Sequence, residues 1–340
     1  MTRQTLKHFA QSLTLLALAL IPAPSLSQVR FASKLPGKRT ASSAAQAAAH
    51  QMLTPGSPSY NYTLLSYPGQ LTTAAICINK GATTSKTEIV GGYGSNEGFS
   101  QAGFLVKVSG KKTIAESYQV VNDPHEPAQQ EATCINDAGQ IVGTYLDSSG
   151  FNHGYERIGG KFTQLDVPFT GATATLPFAI NDSGEVVGCW GDSNGNDHGF
   201  TLIGGTYASF DYPGASQTCA DDINSAGDII GQYFDASGVG NSFLLSGGTY
   251  TSFAYPGAID TFVNGINDSG VIVGGYCTTS ECEDTFDGVQ NFLLSGGVFT
   301  PITILSGEVY AVANDINNDG VLVGYYQDAA GLLISFMATP

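Results

Sequence analysis

From about residue 60 onward, short apolar runs of strand length alternate with clusters of Asn, Asp, Ser and Gly. In "GINDSGVIVGGY", Gly265 to Tyr276, an apolar stretch, an Asn-x-x-Gly turn and a second apolar stretch read as one β-hairpin. The same hairpin is written as "CINDAGQIVGTY" from Cys134, "AINDSGEVVGCW" from Ala179, "DINSAGDIIGQY" from Asp222 and "DINNDGVLVGYY" from Asp315. Aligned on the turn asparagine, the units fall at Asn79, Asn136, Asn181, Asn224, Asn267 and Asn317. Each carries four strand-like segments, seen most cleanly as "TCADDIN", "DIIGQYFD", "NSFLLSG" and "TYTSFAYP" from Thr218 on.

Four strands per 40–45 residues predict the blade of a β-propeller, so the fold class is all-β: six blades of four antiparallel strands. The last unit stops after three strands at Pro340. Its missing fourth is available in "YNYTLLSYPG" from Tyr60, which matches "TYTSFAYPG" from Thr249. An N-terminal strand is therefore expected to complete the last blade and close the ring over residues 59–340.

A glycine follows each turn asparagine, at Gly91, Gly143, Gly188, Gly231, Gly274 and Gly324, with an aromatic two residues later. Two-residue spacing puts both on one face of a strand. The expectation is that a neighbouring sheet's backbone approaches over the glycine while the ring fills the adjacent gap.

Composition agrees with a turn-rich β protein: 43 glycines and 12% charged residues in 340, with a net charge of −16. Residues 1–27 have a basic start, the apolar run "LTLLALALI" and a small-residue site, the layout of a signal peptide. Residues 28–58 read as an Ala/Ser/Pro-rich leader. The mature protein is expected to be secreted, or exported to the periplasm or cell envelope, as a monomer without a membrane span. No Lys or Arg follows Lys161, which excludes nucleic acid for that half. Among six cysteines, Cys277 and Cys282 in "YCTTSECED" are the best disulfide pair. Cys77, Cys134, Cys189 and Cys219 also sit one unit apart in twos, but their pairing is left open.

Function in a propeller is expected in the loops where blades differ. The recurrent "YPG" places Tyr67, Tyr212 and Tyr255 on the loop face, and Asp221 and Asp222 stand on an inner strand. Rings and carboxylates on one rim suit a glycan or an envelope protein, which makes a non-enzymatic binding scaffold the leading function. The alternative is a lactonase or polysaccharide lyase with a metal-assisted site at the channel mouth. Its catalytic candidates are His125, Glu126 and Asp123 in "NDPHEP". Convergence of Asp221, Asp222 and Asp315 on a metal would favour the enzyme; a plugged channel would count against it. No cofactor is expected, with structural calcium the one to consider, at Asp192, Asn194 and Asp197 in "DSNGND" and at Glu283 and Asp284 in "ECEDTFD".

The units resemble the extracellular HAF-repeat family, which couples an "IN-x-x-G" hairpin to an "H-(A/G)-F/Y" strand. The second half stands here as His153-Gly154-Tyr155 and His198-Gly199-Phe200, and fades to Asn241-Ser242-Phe243 and Asn291-Phe292. The resemblance implies an exported repeat protein. Both histidines recur in register, so they are expected to bond within their own blades.

Overall fold

The structure is a computed structural model describing residues 58–81, 87–94, 102–108, 117–123, 129–280, 282, 288–305 and 310–340. Over these, twenty-four strands form six four-stranded antiparallel sheets. Blade 1 is β2 (Thr72–Ile78), β3 (Thr87–Gly94), β4 (Ala102–Val108) and β5 (Ser117–Val121). Blade 2 is β6 (Gln130–Ile135), β7 (Ile141–Leu146), β8 (Asn152–Ile158) and β9 (Lys161–Gln164). Blade 3 is β10 (Ala174–Ile180), β11 (Val186–Gly191), β12 (Asp197–Ile203) and β13 (Thr206–Phe210). Blade 4 is β14 (Gln217–Ile223), β15 (Ile229–Phe234), β16 (Gly240–Ser246) and β17 (Thr249–Phe253). Blade 5 is β18 (Asp260–Ile266), β19 (Ile272–Cys277), β20 (Gln290–Ser295) and β21 (Val298–Ile302). Blade 6 is β22 (Tyr310–Ile316), β23 (Leu322–Gln327), β24 (Leu333–Thr339) and, from the other end of the chain, β1 (Asn61–Leu65).

The six-bladed propeller and its seam are as the sequence predicts: β1 lies antiparallel on β24, with Asn61 opposite Thr339 and Leu65 opposite Ser335. Ser335 then bolts the seam to blade 1, because its hydroxyl donates to Thr73 O at 2.8 Å and accepts from Ala75 N–H at 2.6 Å. The innermost strands β2, β6, β10, β14, β18 and β22 touch their neighbours around the axis.

The repeated asparagines join the blades as well as making the turns. Asn181 Oδ1 accepts the N–H groups of Ser183 and Glu185, both at 3.0 Å, and thereby caps its own hairpin. Its Nδ2 reaches the next blade and donates to Asn224 O at 3.1 Å. The same donation runs from Asn136 to Asn181, from Asn224 to Asn267 and from Asn267 to Asn317. One residue type thus satisfies a buried turn and a blade boundary together.

The glycine expectation needs correcting. A Cβ on Gly231 would sit 2.0 Å from Cys219 O on β14 and 2.7 Å from the Phe243 ring on β16. The close approach comes from the same blade, not from a neighbouring sheet. Each innermost strand carries a bulge after the residue facing this glycine, as between Ala220 and Asp222, and the preceding carbonyl crowds the glycine. Gly231→Ala is accordingly expected to destabilise by about 2–3 kcal/mol through overpacking, read as a lower urea midpoint at unchanged slope.

Three disulfides form. Cys277–Cys282 closes a loop of blade 5 as expected, while Cys77–Cys134 links blades 1 and 2 and Cys189–Cys219 links blades 3 and 4. Among the described residues no helix is long and apolar enough to cross a membrane. The signal-peptide segment and nearly all of the leader lie outside the described residues.

Candidate functional site

Two regions gather the side chains that break the repeat: the axis, and the face carrying the loops between blades. At the turn end of the axis stands Lys80, where the other blades have Asp137, Asp182, Ser225, Asp268 or Asn318. Its Nζ lies 2.9 Å from Asp222 Oδ2 of blade 4 and closer still to Asp315 Oδ1 of blade 6, and all three side chains are buried. Burial alone would lower the lysine pKa, but the two carboxylates outweigh it and raise it. Burial, with the charge of Asp222 adding, pushes Asp315 up to about 7 against the pull of Lys80. Both carboxylates also accept from the next blade, Asp222 from Ile266 N–H at 2.7 Å and Asp315 from Ile78 N–H at 2.9 Å. Asp222 and Asp315 converge, but on an ammonium; Asp222, expected to meet a ligand, is spent inside the ring.

Asp221, at the bulge of β14 beside Asp222, accepts from Gln232 Nε2 at 3.3 Å. The carboxyl keeps some solvent contact yet is surrounded by protein, and burial, then Asp222, push its pKa well above the carboxylate range. Phe262 of blade 5, Ala74 of blade 1 and Tyr310, Val312, Tyr325 and Leu333 of blade 6 pack together in one apolar cluster. Glu131 of β6 is 3% exposed, and its Oε1 has no hydrogen-bond partner among the described residues. Burial pushes its carboxyl up to about 8, and its charge, after burial and Tyr310, helps to raise Tyr325 of blade 6. Sequence reading missed both Lys80 and Glu131. Their signal was available: Glu131 stands where the other units have Ala74, Leu176, Cys219, Phe262 and Val312.

On the loop face the three YPG tyrosines take one arrangement. Tyr67 stacks on Tyr93, Tyr212 on Tyr233 and Tyr255 on Tyr276, with centroids 3.6–3.7 Å apart and planes within 8°. Each N–H is fixed by a threonine: Thr73, Thr218 and Thr261. The outer tyrosines remain half-buried, so each has one face committed to packing and a rim left at the surface. In blades 2 and 3 Asp123 and Val167 take the place of these tyrosines, their N–H groups held by Gln130 and Thr175, and a histidine of the third strand stacks on the blade's own aromatic. His153 lies over Tyr145 between Asp166 and Asp147, and His198 over Trp190 between Asp211 and Asp192. Both bond within their blades, as the register predicts.

The remaining sequence candidates fall out as follows. His125, Glu126, Glu283 and Asp284 lie outside the described residues. Asp123 uses its backbone, N–H to Gln130 Oε1 and carbonyl from Gln130 Nε2, to shape its turn. Asp192 caps its own loop: Oδ1 accepts from Asn194 and Asn196 N–H, both at 2.8 Å, and Oδ2 from both side-chain amides at 3.2 Å. These bonds outweigh burial and hold its pKa down to about 2. Asn194 is thus a partner of Asp192, and Asp197, pushed up to about 6 by burial, stands next to His198. Both Asp192 oxygens are occupied by turn chemistry, and among the described residues no three His, Cys, Asp or Glu side chains are placed to hold a metal.

No protein-family model and no curated protein matches this chain, so the HAF-repeat resemblance has no support there. Solved structures do match. A lectin from Aleuria aurantia, described as a six-bladed β-propeller with a fucose recognition mode, is 11% identical over 79% of this chain and 93% of its own, with a TM-score of 0.51. AofleA from Arthrobotrys oligospora is 12% identical over 84% and 88%, with a TM-score of 0.49. A putative TolB from Agrobacterium tumefaciens is 12% identical over 67% and 80%, also at 0.49. At 11% identity the first comparison speaks for the fold.

Proposed function

We propose that the protein is an exported, non-enzymatic propeller that binds a neutral glycan on its loop face. The observation that carries this reading is the set of three tyrosine stacks in blades 1, 4 and 5, held by the same threonine bond and left with surface rims. Aromatic rims accept the C–H faces of sugars, and carboxylates beside them, such as Asp211 and Asp235, accept hydroxyl donors. The lack of Lys or Arg after Lys161 disfavours an anionic ligand on blades 3–6. The three disulfides fit an extracellular protein. The hydrolase or lyase alternative needs carboxylates free to meet substrate, and Asp222 and Asp315 are tied to Lys80.

The test is a broad glycan array, run with and without calcium. Saturable binding is expected in both conditions, weakened about tenfold or more by the double change Tyr212→Ala and Tyr255→Ala, since a tenfold loss is about 1.4 kcal/mol. The corresponding Tyr→Phe pair keeps both stacks and is expected to retain most of the binding in a protein of unchanged melting temperature. Silence in both conditions contradicts the glycan reading and directs the search to an envelope protein.

A further inference from the structure

Lys80, Asp222 and Asp315 form a closed chemical unit. Three charged groups from blades 1, 4 and 6 meet with side-chain exposures of only 4–5%, and the lysine stem is held so that Nζ faces both carboxyls. Asp222 Oδ1 accepts Ile223 N–H at 2.8 Å and Oδ2 accepts Ile266 N–H at 2.7 Å, so its carboxyl carbon sits between two fixed donors. An amine fixed against a carboxyl, with backbone donors on the carboxyl oxygens and a second carboxyl touching the same nitrogen, is an arrangement for acyl transfer.

We propose that Lys80 and Asp222 condense to an intramolecular amide, with Asp315 relaying protons, which ties blade 1 to blade 4 across the axis. Asp315, in contact with Nζ, takes a proton from the Lys80 ammonium as the nitrogen turns to Asp222, a transfer uphill against the raised lysine pKa and drawn forward by the loss of water. The nitrogen lone pair attacks Asp222 Cγ, and the negative charge that develops on oxygen is met by the Ile223 and Ile266 N–H groups. Asp315 passes the proton to the departing oxygen and relays the second in the same way. The C–N bond forms, the C–O bond breaks, and one water leaves, with two hydrogens from Nζ and one oxygen from Asp222. Asp315 ends as it began, and no oxidant or co-reactant enters. Burial favours the product, because an amide replaces two desolvated charges. The pushed-up pKa of Asp315 keeps its protonated form within reach near neutrality.

Mass spectrometry of the denatured, reduced protein tests this directly. The chain is expected to be lighter than its sequence by one water, and a tryptic digest to hold a branched peptide in which Lys80, uncleaved, carries Asp222. Asp315→Asn keeps the shape without the relay and is expected to return the full mass in a protein whose circular dichroism is unchanged. If that variant does not fold, the wild-type mass and the branched peptide decide alone. Full mass and cleavage after Lys80 in folded wild type, linkage through Asp315 instead of Asp222, or water loss persisting in folded Asp315→Asn overturns the proposal.

Discussion

Lys80→Met is expected to destabilise the propeller by about 3–5 kcal/mol at neutral pH, the usual loss when one partner of a buried ion cluster is removed. Methionine keeps the apolar stem but leaves Asp222 and Asp315 facing each other with no cation in a buried site. Their backbone donors remain, yet two N–H bonds do not replace a full positive charge. The deficit should shrink as pH falls toward 5, because burial already pushes Asp315 up to about 7 and its protonation removes one of the two uncompensated charges. Urea titrations of wild type and variant across pH 5–8 measure it. A deficit below 1 kcal/mol at pH 7 would mean that the cluster is hydrated and contributes little. A covalent link at Lys80 would enlarge the deficit without changing its sign.

Glu131→Gln should act in the opposite direction. The carboxyl is raised from 4.5 to about 8 by burial, so the folded protein holds a proton that the unfolded chain has released. Through that window the contribution of Glu131 to stability falls as pH rises, and it levels off above pH 8. Glutamine has nearly the same shape and no charge to bury. The variant should match wild type near pH 4, gain steadily from about pH 4.5, and be more stable by roughly 3–5 kcal/mol at pH 8, using 1.36 kcal/mol per pKa unit. The difference between the two stability–pH curves isolates this residue from the many other carboxylates. A flat difference would place Glu131 in contact with solvent.

Most of the ring is legible in the sequence because its cause repeats. Asn-x-x-Gly recurs in five of the six units since those blades need the same capped turn, and the mismatch between a three-strand C-terminal unit and a spare strand near Tyr60 specifies the seam. Cys277 and Cys282 are readable since five residues in one loop constrain them. Which strands bring Cys189 to Cys219 depends on blade packing, which local pattern does not encode. The approach to Gly231 comes from its own sheet, which the pattern does not reveal because a bulge, which changes register by one residue, leaves no mark in period-two spacing. Lys80 and Glu131 are hidden in the sequence for a different reason. Repeat alignment rewards positions that agree, whereas these two matter by disagreeing with their counterparts in the other blades. At Asp192 a run of oxygen-bearing residues has the look of a cation loop and of a turn alike; in the structure Asp192 Oδ1 binds the N–H groups of its own five-residue turn.

The central structural claim is that one closed ring, sealed by an N-terminal strand, carries all six hairpins. Native-state hydrogen exchange across β1 and β24 tests it most directly. The amides that pair Asn61–Leu65 with Ser335–Thr339 are expected to exchange only through global unfolding, with the same free energy and urea dependence as those between β14 and β15. Exchange of β1 amides at loop rates, with β23 and β24 still protected, would contradict the account and leave an open, five-and-three-quarter-blade array in place of a ring.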